Sequence, residues 1–228
     1  MTAEELAKMI DQTLLKAYAT DDDFKSFCEE AKRYNFKMVA INGAPVEQCR
    51  KYLEGSDVLC GAAIGFPLGQ STIETKVFEA EDAIKKGSGE IDYVVNVGKL
   101  KSKEYDYIED EMKRMVEICH RYGIPCKVIF ENCYLEDDEK RKLCEIALKV
   151  LPDYIKTSTG FGTGGATLED VKLMKECVGD RIKVKAAGGI RNIDDALKFI
   201  EAGASRLGTS AGPAIVDGYR KMIEKDSI

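Results

Sequence analysis

The pattern that most restricts the fold is an alternation repeated along the whole chain, a short apolar run followed by a longer amphipathic, charge-rich stretch. The apolar runs predict strands at residues 9–13, 37–41, 59–64, 91–97, 126–130, 154–157, 183–186 and 205–208. Between them, helical periodicity covers 22–34, 72–86, 105–122, 137–150, 167–177 and 194–202. Thr167 with Asp170, and Asn192 with Asp195, carry the spacing of helix N-caps, and Gly123 and Gly203 stand where helices should stop. Short strands that are apolar on both faces and separated by helices indicate a parallel sheet covered on both sides. Eight such units in 228 residues predict an α/β fold, a compact (β/α)8 TIM barrel, rather than an open doubly wound sheet. No Pro-rich or Ser-rich linker divides the chain, so residues 1–228 read as a single domain.

The charge balance narrows the partners. A net charge of −6 lacks the clustered Lys and Arg of a nucleic-acid or anionic-membrane surface, which leaves a small molecule as the expected partner. The N-terminus mixes charged and apolar residues, unlike a signal peptide, and no run approaches a membrane span, so a cytoplasmic location is expected. The eight cysteines form no CxxC pair and read as reduced, mostly core thiols. With His120 the only histidine, and placed near a helix end, a His-based zinc site or a Ser-His-Asp triad has very little to work with.

Lys156 in DYIKTST and Lys185 in IKVKAAGG lie within predicted strands, where Val or Ile would be usual. A buried lysine loses its hydration, and the usual return is an amine whose pKa has fallen far enough to be nucleophilic. Lys127, Lys156 and Lys185 recur at intervals of 29 residues, which predicts similar heights on neighbouring strands. Strand alternation places Asp92, Val94 and Asn96 on one face of the fourth strand, so Asp92 and Asn96 are expected inside the barrel. Taken singly, each residue has a plainer reading: the lysines as snorkelling or ion-paired, Asp92 as their structural partner, Lys127 and Asp11 as structural.

Glycines supply a second signal. Gly188 and Gly189 follow the seventh strand and Gly208 lies at the end of the eighth, with Ser210 beyond it. Loops after strands seven and eight are the common phosphate site of this architecture, where backbone N–H groups approach an oxyanion; strand termination is the plainer alternative. Gly160, Gly162 and Gly165 match the dinucleotide pattern G-x-G-x-x-G, but Asp180 precedes the next strand instead of ending it, so a nucleotide cofactor is not expected.

The segments DQTLLKAYAT, AAIGFPLG, EIDYVVNVG, DYIKTSTGF, VKAAGGIR and RLGTS, in that order over nearly the whole chain, resemble the motifs of the deoxyribose-phosphate aldolases, a family of class I aldolases. The resemblance implies metal-independent, cofactor-free cleavage of 2-deoxy-D-ribose 5-phosphate to D-glyceraldehyde 3-phosphate and acetaldehyde, in the cytoplasm, in deoxynucleoside salvage. It implies Lys156 as the Schiff-base lysine, Lys185 as the second active-site lysine and Asp92 as the proton relay. Asp11 and Lys127 would be supporting polar residues. Gly188, Gly189, Gly208, Ser210 and Thr159 would contact the substrate and its phosphate.

There are departures from the family pattern. Gln12 replaces a frequent histidine, the second strand reads VAINGAP where many members have a Cys and a Pro in this stretch, and Ala187 stands where Ser is common. Phe161 occupies the place of a phosphate-contacting lysine in some members, which leaves a backbone-only phosphate grip. Some members end in a tail tyrosine, whereas Tyr219 falls within the last helical pattern here. Two alternatives stay open: another Schiff-base barrel aldolase with a different sugar phosphate, and a non-catalytic sugar-phosphate-binding barrel. A homodimer or higher homo-oligomer is left open too.

Overall fold

The computed structural model describes residues 1–225. Residues 226–228, the tail in which some relatives place a tyrosine, lie outside the described residues. Eight parallel strands close into one barrel in sequential order, with the first paired to the last. The elements in chain order are α1 Ala3–Ala7, β1 Ile10–Thr13, α2 Asp21–Tyr34, β2 Met38–Asn42, α3 Val46–Tyr52, β3 Leu59–Ile64, α4 Ile73–Lys85, β4 Glu90–Val94, α5 Val97–Lys101, α6 Tyr105–Arg121, β5 Cys126–Ile129, α7 Asp137–Val150, β6 Tyr154–Lys156, α8 Leu168–Val178, β7 Lys183–Ala187, α9 Ile193–Glu201, β8 Ala204–Thr209 and α10 Gly212–Lys225. Among the described residues, no helix is long and apolar enough to cross a membrane.

The predicted caps form. Thr167 accepts from Asp170 N at the start of α8, and Asn192 from Asp195 N at the start of α9. Three helices escape the sequence pattern: α1, α3 and α5 are each seven residues or shorter, too short to show a period. The fourth strand ends sooner than predicted. Asn96 does not continue it into the barrel; its side chain accepts from Lys99 N and caps α5, and its own N–H donates to Glu111.

The main apolar core lies between the barrel and its helices, where outward-facing residues such as Ile91, Tyr93, Val128 and Val184 are buried beneath the helical layer. Six of the eight cysteines are buried, as expected of thiols that pack as small hydrophobes. The barrel interior is of two kinds. On the β2–β3 side Met38 fills the space that a Gly61 side chain would need, its Sδ 2.2 Å from where that Cβ would lie. The side formed by β4 to β8 and β1 is charged instead.

Candidate active site

Seven ionisable side chains meet inside the barrel: Asp11 from β1, Glu90 and Asp92 from β4, Lys127 from β5, Lys156 from β6, Lys185 from β7 and Arg206 from β8. All are buried. Asp92 is the hub. Its Oδ1 accepts from Lys127 Nζ at 2.8 Å, and its Oδ2 accepts from Lys156 Nζ at 2.9 Å and Lys185 Nζ at 2.7 Å. Lys185 Nζ also lies 2.6 Å from Asp11 Oδ2. Deeper in the barrel, Arg206 reaches Asp11 Oδ1 at 2.5 Å and both Glu90 oxygens at 2.9 and 3.1 Å, and Lys127 pairs with Glu90. The Tyr154 ring lies beneath, 5.3 Å from the Arg206 guanidinium and 5.7 Å from Lys127 Nζ.

Strand register sorts the three lysines by height. Lys156 and Lys185 are paired neighbours, as predicted. Lys127 is not level with them: Ile129 holds that position beside Lys156, and Lys127 sits two residues lower, opposite Tyr154. The even 29-residue spacing misleads because a barrel staggers its strands, so equal sequence intervals do not give equal heights.

The stoichiometry of the cluster governs its protonation. Three carboxylates face four cationic side chains, so the cluster reaches neutrality when one cation gives up its proton. Arg206 and Lys127 are held in the charged form, since the carboxylates around each outweigh burial and raise its pKa. Lys156 goes the other way. Burial, reinforced by the Lys185 and Lys127 ammoniums and opposed by Asp92, brings its pKa from 10.5 down to about 8. Burial alone would raise the Asp92 carboxyl, but its three ammonium neighbours hold it well below the usual carboxylate range.

Above the cluster, a cavity of about 650 Å³ opens at the C-terminal end of the barrel, and Lys156 lies in its wall. Gly188, Gly189, Gly208, Ser210 and Thr159 line it too, so the loops after β6, β7 and β8 converge on this cavity. Their glycines serve different purposes. Gly189 has φ +85° and a Cβ there would meet nothing within 4 Å, whereas a Cβ on Gly208 would lie 3.2 Å from Lys185 Cε. The same Cβ would stand 2.9 Å from Ala187 Cβ, so Gly208 makes room for β7, both Ala187 and Lys185, as well as lining the cavity. Two glycines of the G-x-G-x-x-G run are accounted for by packing, and the third, Gly160, by its backbone at φ +87°. A Cβ on Gly165 would stand 2.3 Å from Gly188 O, and one on Gly162 would stand 2.7 Å from Cys133 Sγ, so these glycines let the loops after β6, β7 and β5 close together.

Sequence reasoning missed three members of the constellation. Arg206 interrupts an apolar strand just as Lys156 does, and Glu90 precedes Asp92 by the two residues that put both on one face, so both were detectable by the same signal. Glu131 gives a weaker signal, because it follows β5 in a left-handed conformation at φ 58°. Its buried carboxylate accepts from Thr159 N at 3.0 Å and from the Thr159 hydroxyl, which holds the loop three residues beyond Lys156. Phe161, in the place of the relatives' lysine, is half exposed and packs edge-on against Phe66. Two exposed cations, Lys16 and Arg191, also stand in the cavity wall.

Proteins similar to this chain in sequence and shape bear on its family. A family model described as DeoC/LacD family aldolase matches residues 6–218. A deoxyribose-phosphate aldolase of Lactobacillus acidophilus is 57% identical over 227 residues, covering 100% of this chain and 96% of the relative. One from Thermococcus kodakarensis is 49% identical over 220 residues, covering 96% of this chain and 98% of the relative. The solved structure of the tetrameric deoxyribose phosphate aldolase from Aeropyrum pernix superposes with a TM-score of 0.90 at 30% identity, over 97% of this chain and 93% of that one. The lysine-bearing barrel described above belongs to the DeoC/LacD family of aldolases.

Proposed function

We propose that this chain cleaves 2-deoxy-D-ribose 5-phosphate reversibly to D-glyceraldehyde 3-phosphate and acetaldehyde, through an imine on Lys156 and without a metal. The observation that carries this reading is the Lys156 amine, with its pKa near 8, held 2.9 Å from a carboxylate at the floor of a cavity that ends in the glycine loops. A neutral Lys156 attacks the C1 aldehyde, and loss of water leaves the imine. Protonated, the imine draws electrons as the C2–C3 bond breaks, while the C3 hydroxyl gives its proton to Asp92 directly or through a water. D-Glyceraldehyde 3-phosphate departs. The enamine is then protonated at C2 and hydrolysed, releasing acetaldehyde and the free amine.

Burial, reinforced by the Lys185 ammonium, lowers the Lys156 pKa so that part of the amine is neutral, and Asp11 and Lys127 orient Asp92 and Lys185 through their ion pairs. The substrate phosphate lies against the loops after β7 and β8. Among the described residues, the amides of Gly189 and Ser210 donate to no protein atom, which suits them to an oxyanion. Lys16 and Arg191 add attraction that salt screens. Thr159 contacts the sugar. The protein is expected to act in the cytoplasm, and the tetrameric Aeropyrum pernix relative favours a homo-oligomer here.

Borohydride added with deoxyribose 5-phosphate should fix one adduct per chain, mapped by mass spectrometry to Lys156, and the untreated enzyme should release acetaldehyde and retain its turnover in EDTA. An adduct on Lys185 would exchange the roles of the two lysines. A different cleaved aldehyde would mean a different sugar phosphate, and turnover restored by Zn²⁺ after EDTA would mean a metal-dependent aldolase.

A further inference from the structure

We propose that Gln12 is a positioning residue for the phosphate subsite, its side-chain amide setting the loop after β8 so that the Ser210 amide meets the oxyanion. This rests on the phosphate location given above.

Gln12 is 2% exposed and pairs across β1–β8 with Thr209. Its side chain runs to the C-terminal end of the barrel and stands in the same cavity wall as Ser210. There it spans two elements. Oε1 accepts from Gly212 N at 3.0 Å, while Nε2 donates to Glu30 Oε1 on α2 at 3.0 Å and, more weakly, to Ser210 O at 3.4 Å. The orientation of the amide follows from its partners, because Gly212 N–H can only donate and the Glu30 carboxylate can only accept. Gly212 N–H is one of the orphan donors at the start of α10, so Gln12 caps that helix from a residue 200 positions away.

The fit is close on both sides. A Cβ at residue 212 would stand 2.5 Å from Gln12 Oε1, so the amide reaches its donor because residue 212 is glycine. The other loop amide is also committed: Ala211 N donates to Thr209 Oγ1 at 2.9 Å, and that hydroxyl donates to Ile190 O in the loop after β7 at 2.7 Å. With Ala211 and Gly212 held in this way, Ser210 N–H is the donor left over. Its direction depends on the two ties that flank it, one of which is Gln12.

A side chain at residue 12 must accept at one end and donate at the other. A neutral imidazole does both, a leucine neither, and a carboxylate accepts but sets a second negative charge against Glu30 and near the phosphate. The test compares kcat/KM for deoxyribose 5-phosphate with kcat/KM for deoxyribose at pH 8, together with the inhibition constant of inorganic phosphate. Gln12→Leu should lower the phosphorylated-to-plain ratio roughly tenfold, mostly through KM, and raise the phosphate inhibition constant in parallel. Gln12→Glu should lower the ratio further, and Gln12→His should restore most of it. If Gln12→Leu fails to fold, Gln12→Asn, which keeps the amide but falls short of Gly212, gives the same reading. Equal losses on both substrates, or a loss in kcat alone, would reduce Gln12 to a structural residue and overturn the inference. Gly189→Val serves as the control: if it leaves the ratio intact, or if the unmodified enzyme does not prefer the phosphorylated sugar, the phosphate location itself is wrong and the inference falls with it.

Discussion

Lys76 and Lys156 are both buried, with side chains 0% and 6% exposed, and both bind a carboxylate, yet they sit in charge clusters of opposite balance. Lys76 lies in the helical layer against Glu111 at 2.5 Å and Val94 O at 2.8 Å, a single ammonium with Glu111 as its ion-pair partner and the Glu79 charge nearby, so its surroundings carry no excess of cations. Lys156 shares Asp92 with Lys127 and Lys185, in a cluster that is neutral only when one cation is uncharged. Burial lowers the pKa of both lysines. At Lys76 the neighbouring carboxylates oppose burial, whereas at Lys156 two further ammoniums reinforce it. A buried lysine in an apolar strand or helix is therefore an incomplete sign of a nucleophile. The count of partners around it decides.

The largest contrast is expected from removing each lysine in turn. Lys156→Met should lower kcat/KM by about four orders of magnitude or more, since the covalent route is lost. The same change should stabilise the fold. The Lys156 pKa is lower in the native state, about 8 against 10.5, so the native state carries the full penalty of its charge below pH 8. That penalty is relieved as pH rises to about 10.5, because over this window the unfolded chain binds the proton and the native one does not. At pH 7 the variant should gain on the order of 3 kcal/mol in denaturant melts, and the gain should shrink at pH 10. A variant less stable than its parent at pH 7 would show that Lys156 is needed to neutralise Asp92.

Lys76→Met should behave in the opposite way, keeping the per-molecule activity of its folded fraction but losing about 3–5 kcal/mol, because Glu111 is left buried with no cation. The double variant Lys76→Met, Glu111→Leu should recover most of that loss, as buried pairs replaced by apolar side chains often do. If the double variant is no better than the single one, the pair contributes more than charge balance. The Asn96 N–H that Glu111 accepts would then be the first suspect.

A smaller effect separates the two halves of the lysine pair. Lys185→Leu removes a neighbouring charge and leaves Asp92 Oδ2 to Lys156 alone, and both changes raise the Lys156 pKa. The alkaline-rising limb of kcat/KM, expected near pH 8 in the parent, should move up by roughly one unit, with about a tenfold loss at neutral pH that recovers as pH rises. The shift is modest because burial, the leading cause of the depression, remains. A variant slow at every pH with an unmoved limb would make Lys185 a proton donor instead.

Much of this was legible in the sequence, for physical reasons that differ by element. A parallel barrel buries its strands on both faces, so the eight apolar runs stand out against charged helices, and Lys156, Lys185 and Asp92 stand out within them. The same logic overlooked Arg206, which interrupts β8, and Glu90, which opens β4 on the face of Asp92. What could not be read was register. Sequence spacing put Lys127 level with Lys156, but the stagger that closes the barrel lies in hydrogen bonding between strands and leaves no local pattern. Nor could Lys76 and Glu111 be recognised as partners, since 35 residues and a strand separate them.

Asn96 marks where strand reasoning ended too late, and it should give the smallest effect of the series. The β-branched run before it extends the alternation by one step, yet its side chain turns back to accept from Lys99 N at 3.1 Å and start α5. Asn96→Ala removes that cap while the backbone N–H still reaches Glu111. The cost should be about 1 kcal/mol in denaturant melts, with the pH profile of kcat/KM unmoved near 8. Asn96→Asp, which keeps the acceptor, should lose less. A shifted limb in Asn96→Ala would mean that the side chain communicates with the barrel interior after all, and that the helical-layer pair and the Lys156 cluster are coupled through β4 instead of being separate sites.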